Sequence, residues 1–259
     1  MRRKDFILNT GGLILSSFTS ANLLASVHSS NSLNSQINIG VIGTGSRGQG
    51  LIKLLNGIKG YNVVGACDNI SFRLEEGISL IPTTNIAKAY SDYRKLLDDK
   101  NIDAVIVSTP LNTHDQISID SLDAGKHVYC EKTMAKGISS TQKLVKKCRQ
   151  SNKIFQTGHQ FHSSRMYKQL VEIILDGKVG NIISIEAQWN RNGDWRRIVK
   201  NPLQERQINW RMYREYSYGL LAELSAHQID FANWILRETP KRAIGFGGIN
   251  YWKDGRETY

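Results

Sequence analysis

The sequence predicts an α/β fold organised around a doubly wound parallel sheet, and three observations carry that expectation. Short runs rich in Val and Ile recur at 37–42, 61–67, 103–108 and 127–130, as strands buried on both faces should. Between them lie segments of helical periodicity, one from near Ser91 with Tyr93, Leu96 and Leu97 on one side, another from Thr113, and a third from about Ser140 to Gln150. The first run breaks into a glycine-rich turn, Gly43-Thr44-Gly45-Ser46-Arg47-Gly48, before a helix-like LIKLL. Strands alternating with helices of this length imply βαβ units.

The turn has a physical purpose. Its first glycine, Gly43, permits a tight bend; the second, Gly45, lets the backbone approach a pyrophosphate; the third, Gly48, lets helix and strand pack closely. Phosphates would rest on unpaired N–H groups at the helix N-terminus, where the helix dipole also favours negative charge. The next apolar run ends in Asp68, where a ribose-binding carboxylate belongs. Strand, glycine turn, helix, strand and terminal acid together predict dinucleotide binding. Asp68 would repel a 2′-phosphate and so favours NAD over NADP, although Arg47 and Arg73 lie close enough in sequence to offer a phosphate partner.

A chain of 259 residues with 40% apolar content can fill a core. The net charge of +11 is spread along the chain and interspersed with Asp and Glu. No recognition-helix or stacking-aromatic pattern accompanies it, so nucleic acid is not an expected partner; attraction of an anionic cofactor or substrate is a sufficient use for it. Three cysteines, Cys67, Cys130 and Cys148, lack C-x-x-C spacing and point neither to a disulfide framework nor to a metal site.

The first 35 residues read as an address. Arg2-Arg3-Lys4-Asp5-Phe6-Ile7 is a twin-arginine pattern, followed by an uncharged, weakly apolar run and a polar linker. The run is too short and polar for a stable membrane span. Export to the periplasm is the expectation, and a cytoplasmic protein with a basic tail is the alternative.

In an open parallel sheet, ligands bind at the carboxyl ends of the strands. Two strand endings therefore matter: Thr109-Pro110-Leu111-Asn112-Thr113-His114, with Thr113 and Gln116 at capping-box spacing, and Glu131-Lys132-Thr133. Farther on, Ser163 to about Lys178 is helical, and ISIEAQW (183–189) alternates as a half-buried strand would. WNRNGDWRR (189–197) combines aromatics and guanidinium groups; it suits either stacking on a sugar, through Trp195 and Arg196, or a surface loop with a packed Trp. From Gly219 to Leu236 a helix would place Glu223, His227 and Asp230 on one stripe. A zinc site from those three is disfavoured because the H-E-x-x-H order is absent.

The segments GVIGTGSRG, ACD, VIVSTPLNTH and AGKHVYCEKTMAKG, in this order and at these intervals, resemble the glucose–fructose oxidoreductase/inositol dehydrogenase family, also called Gfo/Idh/MocA. The resemblance covers the chain from about Gln36 onward. It implies a leader and linker over 1–35, a Rossmann domain over 36–158, and over 159–259 an α/β substrate domain with an open, mostly antiparallel sheet that often makes the oligomer contact. It implies cofactor contacts at Ser46, Arg47, Asp68, the Leu111 to His114 turn, Glu131, Lys132 and Gln160, with Lys132 at the reacting carbon. The family's D-x-x-x-H pair falls on Glu223 and His227, with Glu for Asp. Thr133 stands where the family usually has proline, which leaves the backbone beside Lys132 less constrained. Relatives usually continue beyond the point where GFGGINYWKDGRETY ends, so the second domain is expected to be incomplete.

The implied chemistry is hydride transfer between a sugar or cyclitol hydroxyl and NAD. In this scheme His227 is the base, Glu223 orients its ring and raises its pKa, and Lys132 steadies alkoxide charge. A glycosidase or lyase working by transient oxidation and elimination, and an inactive NAD-binding fragment, are the alternatives.

Overall fold

A computed structural model describes residues 36–190 and 193–258. The twin-arginine leader and the linker, along with Arg191 and Asn192 of the WNRNGDWRR segment, lie outside the described residues.

Six parallel strands form one sheet: β1 (Ile37–Ile42), β2 (Tyr61–Cys67), β3 (Lys88–Tyr90), β4 (Ala104–Val107), β5 (His127–Cys130) and β6 (Phe155–Thr157). Their order is β3-β2-β1-β4-β5-β6. The chain thus starts in the middle, winds to one edge, and returns across β1 to build the other half. That reversal puts a crevice between the carboxyl ends of β1 and β4, and such crevices are where open α/β sheets bind ligands.

Alternation along each strand makes two cores. Val105 and Val107 of β4 pack on one face with Leu96, Leu97, Ile117 and Leu122. Ile106 packs on the other face with Val41, Ile52, Val63 and Ile81. The first face is covered by α3 (Tyr93–Asp98), α4 (His114–Asp123) and α5 (Ile138–Gln150); the second by α1 (Ser46–Leu55) and α2 (Ser71–Ser79). Cys67 and Cys130 are buried small side chains.

One local expectation changes. α3 is capped by Asp92, whose side chain accepts from the Arg94 N–H. Thr113 makes no such cap for α4, because its hydroxyl bonds Thr109 Oγ1 at 2.8 Å and the Pro110 carbonyl at 2.7 Å. A short 3₁₀ turn, Leu111–Thr113, precedes α4 instead.

After β6 come a 3₁₀ turn (Gln160–Ser163), α6 (Arg165–Leu175) capped by Ser164, a short α7 (Glu205–Ile208), a π-helical turn (Leu221–Ser225) and α8 (Ala226–Leu236). The antiparallel sheet expected here is not formed among the described residues: 181–190 and 243–249 carry no regular secondary structure. An alternating segment becomes a strand only when a neighbour pairs its backbone and covers its apolar face. Here Ile183 is 98% exposed and Phe246 is 99% exposed. Among the described residues no helix is long and apolar enough to cross a membrane.

Candidate active site

At the end of β1, Gly43 adopts φ +90°, a conformation that favours glycine. A side-chain carbon there would sit 2.7 Å from the Ser108 backbone, and Ser108 Oγ donates to the Gly43 carbonyl at 2.6 Å. On Gly48 a Cβ would meet the Gly43 carbonyl oxygen at 2.0 Å, so α1 lies on the turn as only glycine allows. Gly45, by contrast, faces space: the nearest atom to a Cβ would be Arg73 Nη1, 3.9 Å away. No side chain caps the N-terminus of α1, which leaves its first N–H groups for an incoming acceptor. Asn112 Oδ1, in the turn after β4, is buried without a hydrogen-bond partner. An exposed backbone cradle and an orphaned acceptor beside the crevice fit a dinucleotide.

Asp68 stands at the end of β2. Its Oδ2 accepts from the Thr44 N–H at 2.8 Å and its Oδ1 from the Ile70 N–H at 2.9 Å. The carboxylate is thereby fixed beside the glycine turn. Arg47 spans the mouth of the crevice: its Nε donates to Glu131 Oε1 at 2.8 Å and its Nη2 to Gln160 Oε1 at 3.0 Å. Burial lowers the Arg47 pKa, but Glu131 more than offsets this and leaves it raised. Three residues expected to touch the cofactor, Arg47, Glu131 and Gln160, are therefore one connected group, and Arg47 is engaged rather than waiting for a 2′-phosphate.

The turn after β4 shows a division of labour. Pro110 caps the short 3₁₀ turn, and Leu111 is buried. His114 is only 2% exposed, and both its ring nitrogens face backbone carbonyls, of Thr133 at 2.8 Å and Thr109 at 2.9 Å. Its ring therefore has no nitrogen left to offer a cofactor; it ties together the two turns that carry the other residues.

Lys132 follows β5 and reaches across the crevice, where its Nζ donates to the backbone carbonyl of Glu223 in the π-helical turn. The Lys132–Thr133 peptide bond is cis. Burial pushes the Lys132 amine below the usual lysine range; Glu223 opposes that and Arg211 adds to it.

Glu223, 5% exposed, does not orient His227. Its Oε2 accepts from Arg211 Nε and its Oε1 from Ser217 Oγ, each at 3.0 Å. The stripe expected from helical spacing assumed an α-helix, but Leu221–Ser225 is a π turn with a different periodicity. Asp230 leaves the stripe too, accepting from His162 Nε2 at 2.8 Å, so the three residues do not converge on a metal.

His227 sits instead in an aromatic recess. Its ring is edge-on to Phe161 at 4.9 Å and to His159 at 6.0 Å, and its buried Nδ1 has no partner. Its pKa is lowered, first by burial, then by the charges of Lys132 and His159, against opposing pulls from Asp230 and Glu131. The expected upward shift is thus reversed. Lys132 and His227 bear on each other electrostatically, from opposite halves of the chain.

Trp195 lines a small recess with Arg211, Met212, Gly219 and Glu223, beside the acceptor of Lys132. Arg196 is not presented to it. Its guanidinium donates to Asp254 Oδ2 at 3.0 Å, to the Asp254 backbone carbonyl at 3.2 Å and to Glu205 Oε1, which engages all three of its nitrogens on protein acceptors. Arg211 and His159 were not anticipated. Arg211, stacked over Trp210 at 4.1 Å, had no sequence signal, since its partner Glu223 lies 12 residues on. His159 did: it follows a strand, β6, as the other crevice residues do.

A six-stranded, doubly wound parallel sheet with this glycine turn and terminal acid defines a Rossmann-type dinucleotide-binding protein. Residues 37–159 match the oxidoreductase family with the NAD-binding Rossmann fold, and residues 167–258 match the GFO/IDH/MocA C-terminal domain. The chain belongs to the GFO/IDH/MocA oxidoreductase family, and its Rossmann half is an NAD-binding domain. It is 27% identical over 213 residues to the myo-inositol 2-dehydrogenase of Thermotoga maritima, covering 82% of this chain and 58% of that one. It is 26% identical over 172 residues to the levoglucosan dehydrogenase of Pseudarthrobacter phenanthrenivorans, covering 62% and 42%. Among solved structures it resembles scyllo-inositol dehydrogenase from Lactobacillus casei with bound NAD(H) and scyllo-inositol, with a TM-score of 0.62 and 22% identity over 78% of this chain and 56% of that one, a likeness of fold alone. The chain spans just over half the length of the inositol dehydrogenases it matches.

Proposed function

We propose that this protein transfers a hydride between a hydroxyl of a sugar or cyclitol and NAD, with Lys132 and His227 on either side of the reacting carbon. The observation that carries this reading is the reach of Lys132 from the Rossmann half to the carbonyl of Glu223, in the turn leading into the helix that bears His227. The inositol and levoglucosan dehydrogenases among its relatives support a polyhydroxylated substrate.

The glycine cradle, Asp68 and the Arg47–Glu131–Gln160 group would hold the cofactor, which when bound would supply the hydride acceptor. His227, neutral near physiological pH because its pKa is lowered, takes the hydroxyl proton. Lys132, largely withdrawn from water, sets its amine against the charge developing on the oxygen. Trp195 supplies an apolar face for a ring. Glu223 fixes Arg211 and offers its carbonyl to Lys132, so its part is to place the amine.

A positioned base contributes ~10²–10⁴-fold, and His227→Ala should lower turnover by about that factor while NAD affinity is kept. Steady-state rates on a panel of inositols and sugars, with NAD titrated separately, provide the test; wild-type rates in the variant on every substrate would remove His227 from the role.

Three further parts belong to the same reading. Residues 36–158 are the cofactor domain and 159–259 the substrate domain. Segments 183–189 and 244–250 form strands of an open sheet when paired, as their alternation and exposed Ile183, Ile185, Ile244 and Phe246 suggest. Residues 1–35 direct export by the twin-arginine route, and mass spectrometry of periplasmic protein would refute this by finding none there.

A further inference from the structure

His114 opens α4, yet its imidazole points into the protein. Nδ1 lies 2.8 Å from the Thr133 carbonyl oxygen and Nε2 lies 2.9 Å from that of Thr109. Carbonyl oxygens only accept. A neutral imidazole has one N–H, so its other nitrogen would set a lone pair against a carbonyl lone pair, out of reach of water. A second proton on the ring removes that conflict and adds a charge-assisted hydrogen bond. The two carbonyls belong to different functional turns: Thr109 to the one after β4, Thr133 to the one that carries Lys132.

We infer that His114 is a positioning residue held as an imidazolium, whose two N–H groups fasten the Lys132 turn to the turn after β4. The consequence for the reaction rests on the proposed role of Lys132, whereas the protonation follows from the geometry alone.

The surroundings divide. Burial and the positive end of α4 oppose the charge. The Cys130 side chain at the end of β5 and the two carbonyls favour it, and together they lift the pKa to about 9. Asp115 follows on the same helix, and Glu131 and Lys132 precede Thr133 on the facing turn. The folded pKa exceeds the usual value of about 6.5, so the contribution to stability is complete below that value and is lost as pH rises through about 9.

Nitrogen NMR of the histidine rings in the full chain reads the protonation directly. Both His114 nitrogens should carry protons at neutral pH, with one released near pH 9; a neutral tautomer at neutral pH overturns the inference. His114→Gln, which donates without titrating, supplies the assignment. Should that variant fail to fold, the wild-type spectrum still decides, because among the described histidines His114 is the buried one and its N–H protons should exchange most slowly with solvent. If the variant folds, its deficit in Tm against the wild type should shrink as pH rises through about 9, and a constant deficit overturns the inference. Neither readout uses turnover. A neutral His114 beside a dead His227→Ala enzyme sinks this inference alone, and an imidazolium beside a fully active His227→Ala enzyme sinks only the proposed reaction.

Discussion

His227 and Glu223 show how a residue's neighbours decide its chemistry. An acid four residues upstream was expected to raise the pKa of the histidine. Instead Glu223 is taken by Arg211 and Ser217, and His227 is left with a buried, unpartnered Nδ1 among Phe161, His159 and the charge of Lys132. The sign of the shift matters for activity. A base with a lowered pKa sheds its proton below the usual histidine value of about 6.5, so the acid limb of kcat/KM should lie below that pH. A pH–rate profile checks this, and a limb centred above neutrality would show that a paired or solvated imidazole is acting. Arg196 teaches the same lesson: its type suited a sugar, but Asp254 and Glu205 hold it.

At the scale of the element, the strand–turn–helix unit from Ile37 to Leu55 is the most constrained part of the site. Its glycines answer to geometry: Gly43 to a positive φ, Gly48 to a carbonyl 2.0 Å from where a Cβ would lie. Gly48→Ala should push α1 off the turn, weakening NAD binding by at least tenfold and costing on the order of 1–3 kcal/mol, as overpacking does. Calorimetric titration and thermal melts measure both effects; unchanged NAD affinity would mean the turn is not the phosphate cradle. This unit was legible in the sequence because its requirements are local. The 3₁₀ turn before α4 and the π turn before α8 were not, since Thr113 could cap or bond backward, and side chains distant in sequence, Lys132 and Arg211, grip the second turn. The short edge strands β3 and β6 escaped notice because three residues give too little alternation to read.

For the whole molecule, the parallel sheet was legible because the central strands are buried on both faces over most of their length and show it as nearly continuous apolar runs. The segments after residue 180 depend on partners and lack that signature. Hydrogen exchange gives the proposed sheet a plain test. Amides at 183–189 should be protected alongside β1 and β4 if those residues pair as strands, and exchange at the rate of free chain would reject the pairing.

The central claim is that one nicotinamide ring lies between an amine from the first half and an imidazole from the second. Crystallography of the protein with NAD tests it most directly. The ring should lie in the crevice between the ends of β1 and β4, with Lys132 Nζ and the His227 ring both facing its reactive edge. A nicotinamide seated elsewhere, or one that meets Lys132 while His227 stays turned away behind Phe161, would contradict the account.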